Sequence, residues 1–295
     1  MDESRRSPLR VNAYVMLADP SFLRESLTSY YHFVDRIVLS FDRAALSWTG
    51  TPLPIEQCLR IVEELDVEGK CVAAPGHFAF VDRDPLENDT FQRQHALDIA
   101  SADADWVLQL DTDEVLLEPQ LFFDCLARAH AAGSGGMDFP AMWLYSRVSP
   151  GRYLERSGRF WKRAASYPGP LAVRPGTRLS LARQTDVDLY RVDIQPANSD
   201  PWHPRQTVVD EAIAPGQAVA HFSWVRHPDV MRRKFGWSGH AEDLRPPSVY
   251  RAWAWRTRHP RIAVATSVFR PLGAWYRLSR FPEPPGGEPI EVQAR

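Results

Sequence analysis

Strand-like and helix-like segments alternate along the first third of the chain, and this alternation limits the folds open to it. An apolar run at 11–17 precedes a helical pattern that begins at Asp19 and Pro20, and a second apolar run follows at 34–41. A helix predicted over 54–65 leads to a third strand at 70–74. Strands that alternate with helices form parallel sheets with right-handed crossovers and helices on both faces. We therefore expect a Rossmann-type, three-layer α/β/α fold with a mostly parallel sheet.

The next predicted strand ends in a group of carboxylates. A helix predicted over 85–102 leads into the apolar run 106–110, which stops at Asp111, Asp113 and Glu114. In open α/β sheets, ligands bind outside the carboxyl ends of the strands. Two aspartates one residue apart can share a divalent cation whose other positions are filled by water and phosphate oxygens. The alternative is a solvated, acidic start of a helix.

Three more charged residues are candidates for the same site. Asp19 and Asp42 follow the first and second strands, where a carboxylate can bond a ribose hydroxyl or a base edge. Asp19 fits a helix N-cap equally well, whereas a long loop through Trp48 follows Asp42. Arg93, in the helix before Asp111, either orients that carboxylate, reaches a phosphate, or lies at the surface.

Several function classes are excluded by what the chain lacks. No Gly-x-Gly-x-x-Gly follows the first strand and there is no P-loop, which argues against a dinucleotide oxidoreductase and a P-loop NTPase. The Gly176-Thr177-Arg178-Leu179 segment imitates part of a sugar-nucleotidyltransferase signature, but it lies mid-chain after Pro175 rather than after the first strand. A net charge of −2 gives no reason to expect nucleic acid as a partner.

The cysteines and the two ends of the chain bear on its location. Cys58, Cys71 and Cys125 have no metal-type spacing, as expected in a reducing compartment. The N-terminus lacks the apolar core of a secretory signal, and no run of 18 apolar residues is present. We expect a cytoplasmic protein. The segment 245–295, rich in Arg, Trp and Pro, is predicted to be a helical extension with a loose tail from Pro282. Peripheral contact with the inner face of a membrane is the alternative.

The middle of the chain is basic and irregular. Eight cations lie between Arg152 and Arg183 against Glu155 alone, which favours an anionic ligand such as a sugar nucleotide or a phosphorylated acceptor. Long loops over 146–215 are where an acceptor region is expected. His221 then lies in an apolar strand predicted over 217–225, where it is either a core residue or a ligand. A helix is predicted to begin at Pro228.

Together these residues resemble bacterial, family 2-like glycosyltransferases of the GT-A fold, over about residues 11–243. The resemblance is carried by the first strand and helix, by Asp42, and by Arg93-Gln94-His95-Ala96-Leu97 before Asp111-Thr112-Asp113-Glu114. It is also carried by His221-Phe222-Ser223-Trp224-Val225 with Lys234 and His240 after it, a segment similar to one in the family 17 N-acetylglucosaminyltransferases.

The resemblance implies a set of site residues. Asp111 and Asp113 would hold a divalent ion that bridges the diphosphate of a nucleotide sugar, with His221 as a third ligand. A nitrogen ligand favours Mn²⁺ over Mg²⁺. Lys234 would neutralise the departing diphosphate. The nucleotide-sugar site as a whole is predicted to comprise Asp19, Asp42, Arg93, Asp111, Lys234 and His240.

The function expected from these observations is metal-dependent transfer of a sugar, with a UDP-sugar as the favoured donor and a glycan or small molecule as acceptor. The alternative is a catalytically silent nucleotide-sugar or metal-binding module. Residues 1–115 would bind the nucleotide sugar and 116–244 the acceptor. An inverting enzyme also needs a carboxylate base, and no acidic pair stands at the family's position. The candidates for this base are Asp186, Asp188, Asp210 and Glu211.

Overall fold

A computed structural model describes residues 9–204, 206–237, 246–269 and 274–281 of the chain. The strands are β1 (Val11–Met16), β2 (Arg36–Asp42), β3 (Cys71–Gly76), β4 (Trp106–Gln109), β5 (Glu114–Leu116), β6 (Gly136–Asp138), β7 (Ala141–Ser149), β8 (Arg152–Ser157), β9 (Ala172–Val173), β10 (Leu189–Asp193), β11 (Glu211–Ala212), β12 (Val219–His221) and β13 (Trp275–Arg280). The helices are α1 (Leu23–Tyr30), α2 (Ile55–Leu65), α3 (Pro85–Ala100), α4 (Pro119–Ala131), α5 (Pro228–Trp237), α6 (Pro247–Arg258) and α7 (Pro260–Ala265). Short 3₁₀-helices cover Pro20–Phe22, Tyr31–Phe33, Arg159–Trp161, Pro215–Gln217 and Thr266–Phe269.

The helices begin where the sequence chemistry predicts. Asp84 accepts a hydrogen bond from the backbone N–H of Leu86 at the start of α3, whose first residue is Pro85. Asp19 accepts one from the N–H of Ser21 in the same way, just before α1. The N-cap interpretation of Asp19 is therefore confirmed.

An eight-stranded sheet forms the first layer, in the order β11-β10-β6-β9-β4-β1-β2-β3. Its neighbouring strands are parallel except around β9, which is antiparallel to both β4 and β6. The α/β class with a mostly parallel sheet is confirmed. Because β1, β2 and β4 are parallel neighbours, their carboxyl ends lie at the same edge of the sheet.

Helices cover both faces of this sheet. In β1, Ala13 and Val15 belong to the same buried cluster as the apolar residues of α1 and α2. The intervening Tyr14 and Met16 belong to a second cluster with the apolar residues of α3. Successive side chains of a strand point to opposite faces. Both faces of β1 are therefore packed against helices, as the three-layer prediction requires.

A second, five-stranded sheet in the order β13-β8-β7-β12-β5 was not predicted. Its neighbouring strands are antiparallel except for β7 and β12. The apolar run at 137–145 predicts a single strand with Pro140 at an edge or bulge. The run is instead divided at Pro140, so that β6 joins the first sheet and β7 the second. Proline has no N–H for a ladder bond, and a strand commonly breaks there.

One pairing in the second sheet positions the site. β5 follows directly after Asp113, and it pairs antiparallel with β12 so that Glu114 lies opposite His221. The strand predicted over 217–225 is shorter than expected, because β12 ends at His221. The backbone N–H of Phe222 then donates to the carbonyl of Asp113 at 2.8 Å. This ladder brings His221 beside the acidic motif.

The C-terminal segment is only partly as predicted. Helices α6 and α7 are present, but β13 pairs with β8 along six residues, so this segment is not purely helical. The tail expected from Pro282 lies outside the described residues. The division of the chain at residue 244 stays a prediction. No helix in the described ranges has both the length and the apolar character needed to cross a bilayer.

Candidate functional site

A cavity of about 530 Å³ lies at the carboxyl ends of β1, β2 and β4. This is where open α/β sheets bind their ligands. Its charged and polar lining residues are Asp19, Asp42, Ser47, Asp89, Gln92, Arg93, Asp111, Thr112, Asp113, Ser166, Arg183, His221, Ser223 and Lys234. Its large aromatic lining residues are Trp48, Trp143, Trp224, Phe235 and Trp237. Residues from the first, middle and last thirds of the chain therefore line one cavity.

Asp111 lies two residues after β4, and its side chain is 30% exposed at the cavity. Arg93 of α3 donates from Nη2 to Asp111 Oδ1 at 2.9 Å and from Nε to Asp89 Oδ1 at 2.7 Å. Arg93 is itself buried rather than at the surface. Burial opposes ionisation of Asp111, but the guanidinium groups of Arg93 and then Arg183 hold the pKa of this carboxyl below its usual value. The carboxylate is therefore charged and fixed in orientation.

Asp113 is buried under three cationic or ionisable groups. Its Oδ2 accepts from Lys234 Nζ at 2.6 Å and from Arg226 Nη2 at 2.9 Å, while its Oδ1 lies 3.5 Å from His221 Nε2. Burial alone would raise the pKa of this carboxyl, but the Lys234 ammonium, then His221 and Arg226, hold it well below the usual value. Asp113 is thus an anion at any pH near neutrality.

Arg226 connects the acidic motif to the end of β1. Its Nε donates to Asp19 Oδ2 at 2.6 Å, and its Nη1 donates to the carbonyls of Phe222 and Val225. Only 1% of the side chain is exposed. Burial alone would lower the pKa of the guanidinium, but the carboxylates of Asp19 and Asp113 raise it above its usual value. Arg226 was missed by sequence reasoning, because nothing in the Arg-His that precedes α5 indicates a partner 207 residues away.

A second buried arginine supports the turn between Asp111 and Asp113. Glu114 Oε2 accepts from the backbone N–H of Asp111 at 3.0 Å and from Arg183 Nη1 at 2.7 Å. Arg183 is also buried, and it leaves no room beside Gly169. A Cβ at that position, where φ is +137°, would lie 2.7 Å from Arg183 Cγ. Glycine is therefore required there. Arg183 too was missed, since it lies in the irregular basic segment.

Asp42 lies at the end of β2 and lines the cavity, yet both its oxygens serve the loops beside it. Oδ1 accepts from the N–H of Ala44 at 2.9 Å and Oδ2 from the N–H of Phe78 at 2.7 Å. Each carboxylate oxygen still has a second lone pair for a ligand. Nearby, Trp48 donates from Nε1 to Gln92 Oε1 at 2.7 Å, so this loop is tied to α3.

The four candidates for a catalytic base do not line the cavity. Glu211 accepts from Arg128 Nη2 at 2.7 Å, and Asp210 accepts from the backbone N–H of Arg191 at 2.7 Å. Asp186 and Asp188 are exposed, in the loop before β10. The other candidates, Asp19, Asp42, Arg93, Asp111, Asp113, His221 and Lys234, are all brought to the cavity. His240 lies outside the described residues.

Asp113 Oδ1 and His221 Nε2 lie 3.5 Å apart. Adjacent ligands in an octahedral shell of Mn²⁺ or Mg²⁺ are about 3.0 Å apart, so a small approach of the two side chains would let both bind one divalent ion. Within the described part of the chain, however, no group of three or more His, Cys, Asp or Glu side chains is arranged to hold a metal. A bound ion would therefore complete its shell with water and ligand oxygens.

Comparison with known proteins identifies no family for the chain. No protein-family model matches it, and no curated protein matches it either. A 4-diphosphocytidyl-2C-methyl-D-erythritol synthase from Anaerococcus prevotii aligns at 12% identity and a TM-score of 0.33, over 57% of this chain and 70% of that one. A CMP:2-keto-3-deoxy-manno-octonic acid synthetase complexed with CTP aligns at 11% identity and a TM-score of 0.33, over 56% of this chain and 74% of that one.

A mannose-1-phosphate geranyltransferase from Thermus thermophilus aligns at 12% identity and a TM-score of 0.26, over 57% of this chain and 51% of that one. TM-scores this low support no conclusion about activity. The glycosyltransferase resemblance therefore stays a prediction, and the chain's function is argued from its own residues.

Proposed function

We propose that the chain is a metal-dependent glycosyltransferase that moves a sugar from a nucleoside-diphosphate sugar, with a UDP-sugar favoured, to a glycan or small-molecule acceptor. One observation carries the proposal. Asp111, Asp113, His221 and Lys234 come from distant parts of the chain and converge on one cavity at the carboxyl ends of β1 and β4. Carboxylates, an imidazole and an ammonium in one cavity are the groups that a metal-bridged diphosphate requires.

The chemistry of sugar transfer explains why these groups belong together. Cleavage of the anomeric C–O bond leaves negative charge on the nucleoside diphosphate, which fixed cations stabilise more than they stabilise the substrate. Asp113 and His221, with Asp111 in the same cavity, would hold Mn²⁺ or Mg²⁺. A divalent ion bound there would supply electrophilic stabilisation of the leaving group.

Lys234 is the cation best suited to follow the leaving diphosphate. Arg226 also contacts Asp113, but it is fixed by Asp19 and by two backbone carbonyls. Lys234 is held by Asp113 and more weakly by Ser223 Oγ at 3.3 Å. Its flexible stem and three rotatable donors allow it to exchange a carboxylate for a phosphate oxygen. On the nucleoside side, the remaining lone pairs of Asp42 would accept from ribose hydroxyls, and Arg93 would face the phosphates.

A thermal-shift panel of UDP-, GDP- and dTDP-sugars, each with and without Mn²⁺, tests the donor side. We expect a UDP-sugar with Mn²⁺ to raise the melting temperature, and Asp113→Asn to abolish that shift. Asp98→Asn, an exposed position on α3, is the matched control and should respond like the wild type. No shift with any nucleotide sugar would contradict the proposal.

Turnover separates the enzyme from the alternative, a silent module of the same fold. Release of free nucleoside diphosphate from the donor that binds should exceed the rate without protein, and Asp113→Asn should remove the excess. Tight donor binding with no release, in the presence of an acceptor library, would favour the silent module. Release of pyrophosphate from a nucleoside triphosphate and a sugar phosphate would instead identify a nucleotidyltransferase.

Contact with a membrane surface is the last part of the proposal. Residues 246–269 and 274–281 contain arginines and no acidic residue. The exposed side of α7 and the following turn carries Ile262 (50% exposed), Val268 (43%) and Phe269 (81%). A segment that combines arginines with exposed apolar side chains favours anionic lipid headgroups.

Co-sedimentation with phosphatidylcholine vesicles, with and without phosphatidylglycerol, tests this contact. Binding should require the anionic lipid and should fall several-fold in the double variant Val268→Ser, Phe269→Ser. Val81→Ser, at another exposed valine (98%), is the control. Equal binding to neutral vesicles, or none to either kind, would contradict the contact.

A further inference from the structure

A stack of alternating aromatic and cationic side chains leads from the proposed ion site to the protein surface. The ring of Trp143 lies 6.1 Å from that of His221 at an interplanar angle of 23°. The guanidinium of Arg156 contacts two indole rings, at 4.8 Å from the Trp143 ring and 5.6 Å from the Trp202 ring. Trp202 ends the stack with 77% of its surface exposed.

The loop that carries Trp202 is held firmly beside the cavity. The backbone N–H of Trp202 donates to Asp200 Oδ1 at 2.9 Å, and Asp200 Oδ2 lies 2.7 Å from His203 Nδ1. The ring of His203 packs edge-on against Tyr167, and Tyr167 lies between Ser166 and Pro168, which line the cavity. Trp202 is therefore presented to solvent by a fixed loop, although an exposed indole contributes little to stability there.

Arg156 is the charged member of the stack, and in the described residues it has no carboxylate within ion-pairing distance. The buried arginines of the site differ from it, since Arg93, Arg183 and Arg226 each contact acidic side chains. Contacts with aromatic faces hold a guanidinium in place, while its in-plane N–H donors stay free for a carboxylate or phosphate. Trp143 Nε1 is buried beside it without a hydrogen-bond partner in the described structure.

We propose that Trp143, Arg156 and Trp202 form an acceptor subsite for an acidic oligosaccharide. The Trp143 ring is covered by His221 and Arg156, so a sugar ring would pack against the exposed indole of Trp202. The stacked guanidinium of Arg156 would bind the anionic group in a bidentate manner. The subsite begins at His221, where the donor sugar would be transferred, and leads outward, as an acceptor chain requires. The direction in which the acceptor chain runs rests on the proposed function. Binding of a sugar to this surface does not require the donor.

The binding probes are two matched pairs that differ only in charge. Tetragalacturonate is compared with its methyl ester, and a phosphorylated mannopentaose with its dephosphorylated form, by isothermal calorimetry and by quenching of tryptophan fluorescence. We expect one acidic sugar to bind roughly tenfold more tightly than its neutral partner. The pair that shows this preference identifies the anionic group as a carboxylate or a phosphate. No preference in either pair would overturn the inference.

Variants then assign the preference to the subsite. Arg156→Met should remove the preference for the acidic sugar, and Arg156→Lys should restore part of it, since lysine keeps the charge without the planar fork. Trp202→Ala should weaken both members of a pair roughly tenfold, and Trp202→Phe should weaken them less. Wild-type affinity and preference in Arg156→Met and Trp202→Ala would overturn the assignment.

Two controls make the outcome specific. Trp255→Ala and Arg251→Met remove an exposed indole and an exposed arginine from α6, and both variants should bind the probes like the wild type. Binding of uridine diphosphate with Mn²⁺ is measured on each preparation. If the wild type binds the acidic sugar but not uridine diphosphate with Mn²⁺, the proposed function is contradicted and the subsite stands. If the wild type binds uridine diphosphate with Mn²⁺ but not the acidic sugar, only the subsite is refuted.

Discussion

Arg226→Met tests the buried charge network that holds the acidic motif. The variant removes the guanidinium that joins Asp19 to Asp113 while keeping an aliphatic side chain to fill the space. Breaking a buried pair by removing one partner usually costs about 3–5 kcal/mol, because the charge left behind is neither solvated nor paired. Asp19 retains the N–H and hydroxyl of Ser21, and Asp113 retains Lys234. The expected loss in the free energy of unfolding is therefore at the lower end, about 3 kcal/mol.

Urea unfolding followed by tryptophan fluorescence measures this loss, and thermal unfolding measures it independently. For a chain of this size, about 3 kcal/mol corresponds to a fall of roughly 6–12 °C in the melting temperature. Arg232→Met is the matched control, because Arg232 pairs with Asp229 on the exposed side of α5. Exposed pairs of this kind contribute roughly 0–1 kcal/mol.

A double-mutant cycle separates the ionic contribution from lost packing. Asp19→Asn combined with Arg226→Met removes both partners, so the double variant should be more stable than the sum of the single losses by at least about 1 kcal/mol. A loss below about 1 kcal/mol in Arg226→Met, or additive losses in the cycle, would refute the reasoning that the network is fixed by Arg226.

Three further predictions follow from the geometry. His221→Ala should weaken Mn²⁺ binding about tenfold or more in calorimetry. Unchanged affinity would indicate that His221 packs in the core and does not bind the ion. Lys234→Ala should lower kcat roughly a hundredfold, by loss of a charge at the leaving group, with little change in KM, and a rise in KM alone would assign it to binding. Glu155→Gln should raise the melting temperature by a few degrees near neutral pH, because burial raises the pKa of the Glu155 carboxyl above its usual 4.5. A raised pKa means that the folded state binds the proton more tightly, so wild-type stability falls as pH rises. The advantage of Glu155→Gln should therefore shrink as the pH falls toward 4.5, and an advantage independent of pH would contradict this account.

Local chemistry made the first layer of the fold predictable. The alternation of apolar strands with helices that begin at Asp19, Pro54 and Pro85 is a short-range signal, and it predicted β1–β4 and α1–α3. Asp111 and Asp113 could be placed because the carboxyl ends of parallel strands share one edge. These signals are contained within segments of about a dozen residues.

The features that sequence reasoning missed depend on contacts between distant segments. Pro140 was expected at an edge or bulge, but it divides one apolar run between two sheets, which no local pattern indicates. β13 has no alternation of apolar residues and is a strand because β8 pairs with it. Arg183 and Arg226 were missed for the same reason, since a buried arginine is recognised by its acidic partners rather than by its neighbours in sequence.

The pairing of β5 with β12 also has a consequence for assembly of the site. Asp113 and His221 become neighbours only through a ladder that closes a loop of more than 100 residues. Contacts of such high sequence separation form late in folding, because loop closure must precede them. A nascent or truncated chain that stops before β12 can complete the parallel core of β1–β4, yet it holds only half of the proposed ion site. We therefore expect ion affinity to appear in refolding after most of the helical signal, which would protect an immature chain from capturing manganese.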